Sequence, residues 1–541
     1  MSSAAPALLA LFITPILFSI IRSHLKHRCL SNLPGPEPQS WLFGVAKKMF
    51  APDGMTYRLH LLTESGPVVK IPFLLGVRIL NSVHRSSIAI SDPLGLCTLL
   101  GKDSTPFDFP HSFVAMSHAV WGPSLIGVRV GDEHRKQRKI LNPVFSVPHL
   151  RGLVPVFSDV ASEVVSTINS YLTGAPTEVD VSQIITGYSL ECIGRTGLGR
   201  SFGSLKEHGT PYSRALKEFG PTLGKLHVFM AYLPGLRKCL PLSWLRFGAK
   251  HFPMKAMRDM LEISDTVYAE SKRILTEKEG LLKDEGGRDL MSIILRHNAK
   301  VALDEVLSEE ALIGQMSMFL LAATDTTSST ITRVIELLAI NQDVQGGLRE
   351  ELTRATESRS LSEFDFDAFA SLQYLDAVLR ETLRMKQDRR RRHRHPPFRP
   401  VVGKDGELIH EVHIPAGTTI LVNNVGYNRS PLVWGPSAAE WRPGRWLAPL
   451  PDSATTQRVP TLFSNMLSFG GGPRACIGYN MALIELRVII SHLILAFRFT
   501  PSDKKIVWRM AGLVSPSVRG SKLTRPELPV MIERLAVDEA A

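Results

Sequence analysis

Apolar positions recur at helical spacing along most of the chain. From about Asp132 the pattern turns helical and stays so. HFPMKAMRDMLEISDTVYAESKRILTEKEGLL is one amphipathic stretch. SEEALIGQMSMFLLAATDTTSSTITRVIELLAIN is another, with Ser308 as its N-cap and Glu309 and Glu310 in its first turn. SLQYLDAVLRETLRM is a third, and MALIELRVIISHLILAFRF is apolar on most sides, which predicts a buried helix. Alternation is weaker and rarer. GPVVKIPFLLGVRILNSV, from about residue 66 to 85, predicts a short hairpin, and strand-like pieces return around IPAGTTILVNNV. The predicted class is mainly α with a minor β part.

One apolar run precedes this body. AAPALLALFITPILFSII, from Ala4 to Ile21, holds eighteen residues and no charge. As a helix it spans about 27 Å, roughly the hydrocarbon thickness of the endoplasmic reticulum membrane. A cleaved signal peptide is the rival reading. Against it, no cation precedes the run and no clean small-x-small site follows. Arg22, Lys26 and Arg28 follow instead, which puts the body on the cytoplasmic side. Pro15 is tolerated in lipid, and the prolines of LPGPEP, Leu33 to Pro38, stiffen the exit. Length alone would allow several domains, yet no linker, repeat or Gly/Ser run divides the chain. The expected organisation is an anchor over residues 1–30 and one large domain over residues 31–541.

Composition adds limits. Of 541 residues 44% are hydrophobic and 21% charged, a globular balance. The five cysteines, Cys29, Cys97, Cys192, Cys239 and Cys476, form no CxxC pair, which argues against a disulfide framework or a structural zinc site. The net charge of +12 is concentrated in part in KQDRRRRHR, Lys386 to Arg394, which carries +5 and leaves a mildly basic remainder of +7. Such a remainder suits an anionic membrane surface or an acidic protein partner.

Three places carry candidate chemistry. Between Met316 and Ala323 a helix reads MSMFLLAA, and TDTTSST follows from Thr324 to Thr330. A buried carboxylate without partners costs several kcal/mol or shifts its pKa. Two readings stand: the helix emerges into water there, or it is locally broken and its hydroxyls and acid bind a ligand or pass protons. ETLR sets Glu381 and Arg384 on one helix face, an ordinary surface pair unless Arg445 of WRPGRW joins them in a buried cluster. FGGGPRACIGYN, Phe469 to Asn480, places Gly470, Gly471 and Gly472 before Arg474 and Cys476. The glycines let backbone approach a flat object or take positive φ. A thiol at the start of the final helix favours the thiolate. No GK[ST] follows, so a P-loop is excluded.

These residues resemble the cytochrome P450 superfamily. FGGGPRACIG fits its FxxGxRxCxG haem signature at every fixed position, AATDTT is similar to its [AG]GxDTT oxygen motif, and ETLR matches its ExxR. WRPGRW resembles the segment completing a Glu-Arg-Arg cluster, and GDEHRKQRKILNPVFS looks like its C helix in a form common in fungal members. The motifs come in the family's order and cover nearly the whole chain after Pro34. The resemblance implies a single large P450-type fold, with haem between the long central helix and the Cys-loop helix. It implies Cys476 as the axial thiolate, which favours O–O cleavage. It also implies Arg474 and Arg138 against haem propionates, His134 in place of a usual tryptophan, and Phe469 beside the cofactor. Asp325 and Thr326 would relay protons toward the oxygen-binding face, and Glu381, Arg384 and Arg445 would fix the haem loop. Ala323 departs from the usual glycine, KQDRRRRHR from a nearly direct run of ETLR into HPP, and Arg399 is the candidate for the arginine expected after HPP.

The activity implied is a membrane-anchored monooxygenase of the endoplasmic reticulum, taking electrons from NADPH through NADPH-cytochrome P450 reductase. An isomerase or dehydratase, or a non-catalytic haem-binding protein, would not need the Asp325–Thr326 pair. A nucleic-acid partner is disfavoured, since the arginine run lacks interleaved aromatics. TPFDFPHSFVAMSHAVWGP, Thr105 to Pro123, and AGLVSP, Ala511 to Pro516, fall where the family's first and last substrate-recognition loops lie. Both are apolar, which suits a lipophilic substrate: a terpenoid of fungal secondary metabolism, a fatty acid or a xenobiotic.

Overall fold

A computed structural model describes residues 25, 28–40, 44–49, 51, 54, 57, 66–72, 86–101, 107–205, 211–230, 232–280, 287–302, 305–385, 401–511, 513–523 and 525–535. The apolar run Ala4–Ile21, the segment Lys386–Arg394 and Arg399 lie outside them.

The fold is mainly helical, as the periodicity predicts. Strands β1 (Val68–Pro72) and β2 (Ser86–Ile90) pair antiparallel, so the expected hairpin partner lies just beyond the predicted stretch. Helix α1 (His111–Trp121) precedes α2 (Asp132–Leu141), so helical structure begins earlier than Asp132. The resemblance places this segment in the first substrate-recognition loop, and the structure makes His111–Trp121 of it a helix. Helix α3 (Val154–Asn169), strand β3 (Thr177–Asp180) and helix α4 (Val181–Leu198) follow, then α5 (Pro211–Met230) and α6 (Lys255–Gly280).

The central helix α7 runs from Glu309 to Ile340 without interruption. Ser308 caps it by accepting from the Ala311 N–H, with Glu309 and Glu310 in the first turn as expected. The expected local break at TDTTSST is therefore corrected. Thr326 Oγ1 donates to Ala322 O at 2.7 Å and Thr330 Oγ1 to Thr326 O at 2.8 Å, so the hydroxyls bond back one turn while the ladder continues.

Helix α8 (Gln373–Met385) carries ETLR, and β4 (Thr419–Val422) joins β2 in parallel to complete a three-stranded sheet. Strands β5 (Thr461–Phe463) and β6 (Met466–Gly471) form the ribbon that delivers the cysteine loop. Helix α9 (Tyr479–Ala496) is buried against α3 and α7, as its all-round apolar character predicts. It is long and apolar enough to cross a membrane, yet mostly buried as a core helix. Strand β7 (Phe497–Pro501), the hairpin of β8 (Ile506–Ala511) and β9 (Leu513–Val518), and β10 (Pro529–Arg534) close the chain. β10 pairs antiparallel with both β3 and β7, a sheet that the local pattern did not announce.

Candidate active site

The cysteine loop is built by its glycines. Gly470 and Gly472 have φ of +72° and +66°, a left-handed backbone that other residues rarely adopt. Gly471 is extended, and a Cβ on it would sit 2.3 Å from the Pro460 carbonyl oxygen. The loop folds back so that Cys476 N–H donates to Phe469 O at 2.9 Å. The ring of Phe469 makes edge contacts with Phe463 and Tyr479, centroids 5.8 and 6.1 Å away.

Cys476 lies three positions before α9 begins, not within its first turn. Its thiol is accessible although protein surrounds it, and burial pushes its pKa up despite the Gly478 N–H and the Arg138 charge. The expected lowering by the helix end is thus outweighed by desolvation. A metal at the sulfur would reverse that balance, because a coordinating thiol is deprotonated.

Helix α2 leans over the loop. Arg138 donates to Pro473 O and Ala475 O at 3.2 and 2.8 Å, latching the backbone on either side of Arg474. His134, one turn earlier, is buried, and its Nε2 has no hydrogen-bond partner. Burial, then the charges of Arg474 and Arg138, lower its pKa to about 4, so the imidazole is neutral. Arg474 takes an unforeseen partner, Asp108, at 2.8 Å, and also donates to Leu125 O and Val128 O at 2.7 and 2.6 Å. Its guanidinium lies 4.8 Å from the Phe109 ring centroid. Asp108 accepts from Arg129 and from the Val130 N–H as well. Only its place between two phenylalanines in PFDFP marked Asp108 in the sequence.

Across α7 burial is nearly continuous, yet Ala322 and Thr326 are accessible one turn apart, with Ala323 and Asp325 half-buried beside them. A buried helix with one accessible stripe lines an internal space. Burial raises the Asp325 pKa to about 7. Its carboxylate has no hydrogen-bond or ion-pair partner among the described residues.

The charged cluster predicted around ETLR is present. Arg384 pairs with Glu381 at 2.7 Å, both fully buried, and Arg445 Nε lies 3.4 Å from the same carboxylate. Trp446 Nε1 and the Arg442 N–H also donate to it. Burial works to raise the Glu381 pKa, but Arg384, the Arg442 N–H and Arg445 hold it below the usual value. Arg384 donates to Asn428 O at 2.8 Å, and Asn428 Oδ1 accepts from the Leu467 N–H of β6 at 2.9 Å. The cluster is thereby coupled to the ribbon that carries the cysteine.

This donor set fits a haem. It offers an accessible sulfur on a loop whose backbone needs its glycines, and an orphaned imidazole nitrogen within the field of two guanidinium groups. A family model for cytochrome P450 matches residues 75–522, most of the chain. Cytochrome P450 monooxygenases 81 and 212 of Postia placenta are 37% and 34% identical to it, each covering 96% of this chain and 95% and 97% of their own length. A ganoderic acid synthetase of Ganoderma lucidum is 33% identical, covering 96% of this chain and 97% of its own. The chain belongs to the cytochrome P450 family. It is an oxidoreductase of the monooxygenase type, and the family implies a haem-thiolate centre.

Proposed function

We propose that the chain oxidises a lipophilic small molecule, a terpenoid of fungal secondary metabolism, at a haem held by Cys476 between α7 and the loop before α9. The observation that supports this most is the accessible Cys476 thiol on a glycine loop braced by Arg138. Haem, when bound, supplies dioxygen activation with electrons from NADPH, delivered through a partner NADPH-cytochrome P450 reductase. His134 Nε2, as an N–H donor, and Arg138 and Arg474, as positive charge, would hold the carboxylates of a bound haem. Asp108 keeps Arg474 in place and offsets part of that charge. Asp325 holds a proton near neutral pH, and Thr326 Oγ1 passes it on the accessible face of α7. Phe469 would pack beside the cofactor. Residues 1–30 anchor the chain in the endoplasmic reticulum membrane, with residues 31–541 as the cytoplasmic haem domain.

The apolar character of the segment from Phe107 to Trp121, where Val114 and Met116 are buried, supports a lipophilic substrate. The relative named for ganoderic acid synthesis supports the terpenoid choice. The test is Cys476→Ala, reduced under carbon monoxide. The thiolate-type red-shifted Soret band should disappear, and its persistence would refute the ligand. For substrate class, spectral titration of the haem protein with a tetracyclic triterpene and with dodecanoic acid should give a shift with the triterpene. A shift with dodecanoic acid alone would move the reading to fatty acids.

A further inference from the structure

Two glutamines meet inside the protein where α2 packs on α7. Gln137 of α2 and Gln315 of α7 are fully buried, each at 0% exposure. A buried amide left without partners is costly, and a satisfied network of such groups fixes one arrangement of the elements that carry it. The side-chain N and O atoms of this pair are all matched. Gln137 Nε2 donates to Pro123 O at 2.9 Å and to Glu133 Oε1 at 2.8 Å. Gln315 Nε2 donates to Gln137 Oε1 at 2.8 Å, and Gln315 Oε1 accepts from the Leu125 N–H at 3.2 Å.

The direction of this chain is forced at both ends. Pro123 O only accepts, so Gln137 presents its NH₂ there and its oxygen to Gln315. The Leu125 N–H only donates, so Gln315 presents its oxygen there and its NH₂ to Gln137. Leu125 carries the chain onward, because its carbonyl accepts from Arg474 Nη1 at 2.7 Å. A second observation seats the same turn on α7. A Cβ on Gly314, next to Gln315, would stand 2.9 Å from Trp121 O and 3.2 Å from Ser124 N, so a side chain there would push the turn away. At the other end, Gln137 directly precedes Arg138 and follows His134 by three positions on α2. The bonds that hold Gln137 therefore hold the helix that presents both groups.

We propose that Gln137 and Gln315 are positioning residues for the haem site: their amide pair sets α2 and the turn from Pro123 to Leu125 in register on α7, and so sets where His134, Arg138 and Arg474 stand toward the carboxylates of a bound haem. The inference rests on the reading of those three groups as the ones that hold the carboxylates. Gln137 acts through the helix that carries His134 and Arg138. Gln315 acts through the Leu125 peptide, on which Arg474 rests. An apolar pair of the same size would fill the space, yet apolar contact is non-directional and would let α2 slide on α7. Without Gln315 the Leu125 N–H also loses its acceptor, and the turn and the guanidinium upon it are free to shift together. Positive charge withdrawn from the carboxylates leaves more negative charge near the iron, which disfavours its reduction.

The test uses the full haem-loaded chain without substrate. Gln137→Met and Gln315→Met remove the amides while keeping side-chain length and helix propensity. Three quantities are read: the rate of haem transfer to excess apomyoglobin, the midpoint reduction potential, and the resonance Raman bending band of the haem carboxylates. Each variant should release haem about tenfold faster, with a lowered potential and a displaced band. The reduced carbon monoxide complex should keep its thiolate-type Soret band, since Cys476 is untouched. Ile140→Val, in the buried apolar face of α2, is the packing control and should lower the melting temperature alone. His134→Phe removes a carboxylate donor directly and should move both potential and band. If the glutamine variants only lower the melting temperature while His134→Phe moves potential and band, the pair is structural and the inference fails, with the reading of the three groups intact. It fails equally if Ile140→Val moves the band as far as they do. If His134→Phe is silent, the reading of His134 as a carboxylate donor falls and the inference with it. Should the glutamine variants fail to load haem, a crystal structure of the haem-loaded parent decides. Arg474 on Leu125 O with the two amides joined supports the inference, and Arg474 or Leu125 parted from this chain overturns it.

Discussion

Asp325 is where residue-scale physics is most exposed to measurement. Its folded pKa of about 7 lies above the ordinary carboxyl value of 3.8. Between those pH values the native chain binds more protons than the unfolded chain, so stability falls as pH rises through the window. Asp325→Asn removes that dependence. Melting temperatures of the haem protein should show the variant gaining on its parent from pH 5 to pH 8. A parallel pH profile would mean that Asp325 is not buried as an acid. At the same scale, the sequence exposed Cys476 and Arg474 through their glycine-rich spacing. It could not show that Arg474 spends most of its donors on Asp108, Leu125 O and Val128 O, because those partners are far away in sequence.

At the scale of elements, the long helices and the strands β1 and β4 were legible, and the pairing of the C-terminal strands was not. Long apolar periodicity places α6, α7, α8 and α9 directly. Strands such as TEVD and PVMIER are short, and β3 and β10 meet only after most of the chain has folded between them. The hydroxyl run on α7 was present in the letters TDTTSSTIT, but polar residues in an apolar helix suggested a break. Back-bonding hydroxyls instead let the helix continue. The ETLR pair is the converse case, a local motif whose worth depends on burial. Glu381 holds two buried guanidinium groups and, through Asn428, the register of β6. Breaking a buried ion pair by removing one partner costs about 3–5 kcal/mol. Glu381→Ala should therefore express with little bound haem and a sharply lowered melting temperature, whereas a surface pair would lose less than about 1 kcal/mol. Glu381→Asp should retain more haem than Glu381→Ala, since it keeps the charge.

At the scale of the whole molecule two segments outside the described residues, Ala4–Ile21 and Lys386–Arg394, carry the predictions. The run Ala4–Ile21 is long enough to span a membrane, and α9, the described helix of similar character, is spoken for by the core. Removing residues 1–30 should release much of the protein from membranes with its haem retained, and loss of haem would place the segment inside the fold. KQDRRRRHR offers the sharper case. Six cations in nine positions cannot be buried without matching acids, since each unpaired buried charge costs several kcal/mol. The buried acid nearest in sequence, Glu381, is already committed to Arg384 and Arg445. The segment should therefore stand in solvent beyond α8. Deleting Lys386 to Arg394 joins ETLRM to HPPF. The shortened chain should bind haem as fully as its parent, because no described member of the cluster that braces β6 falls within the deletion. If the cations instead meet an acidic reductase, haem content will hold while NADPH-driven reduction slows and loses salt dependence. Loss of haem on deletion would show that the segment supports the core, and its reading as a solvated insertion would fail.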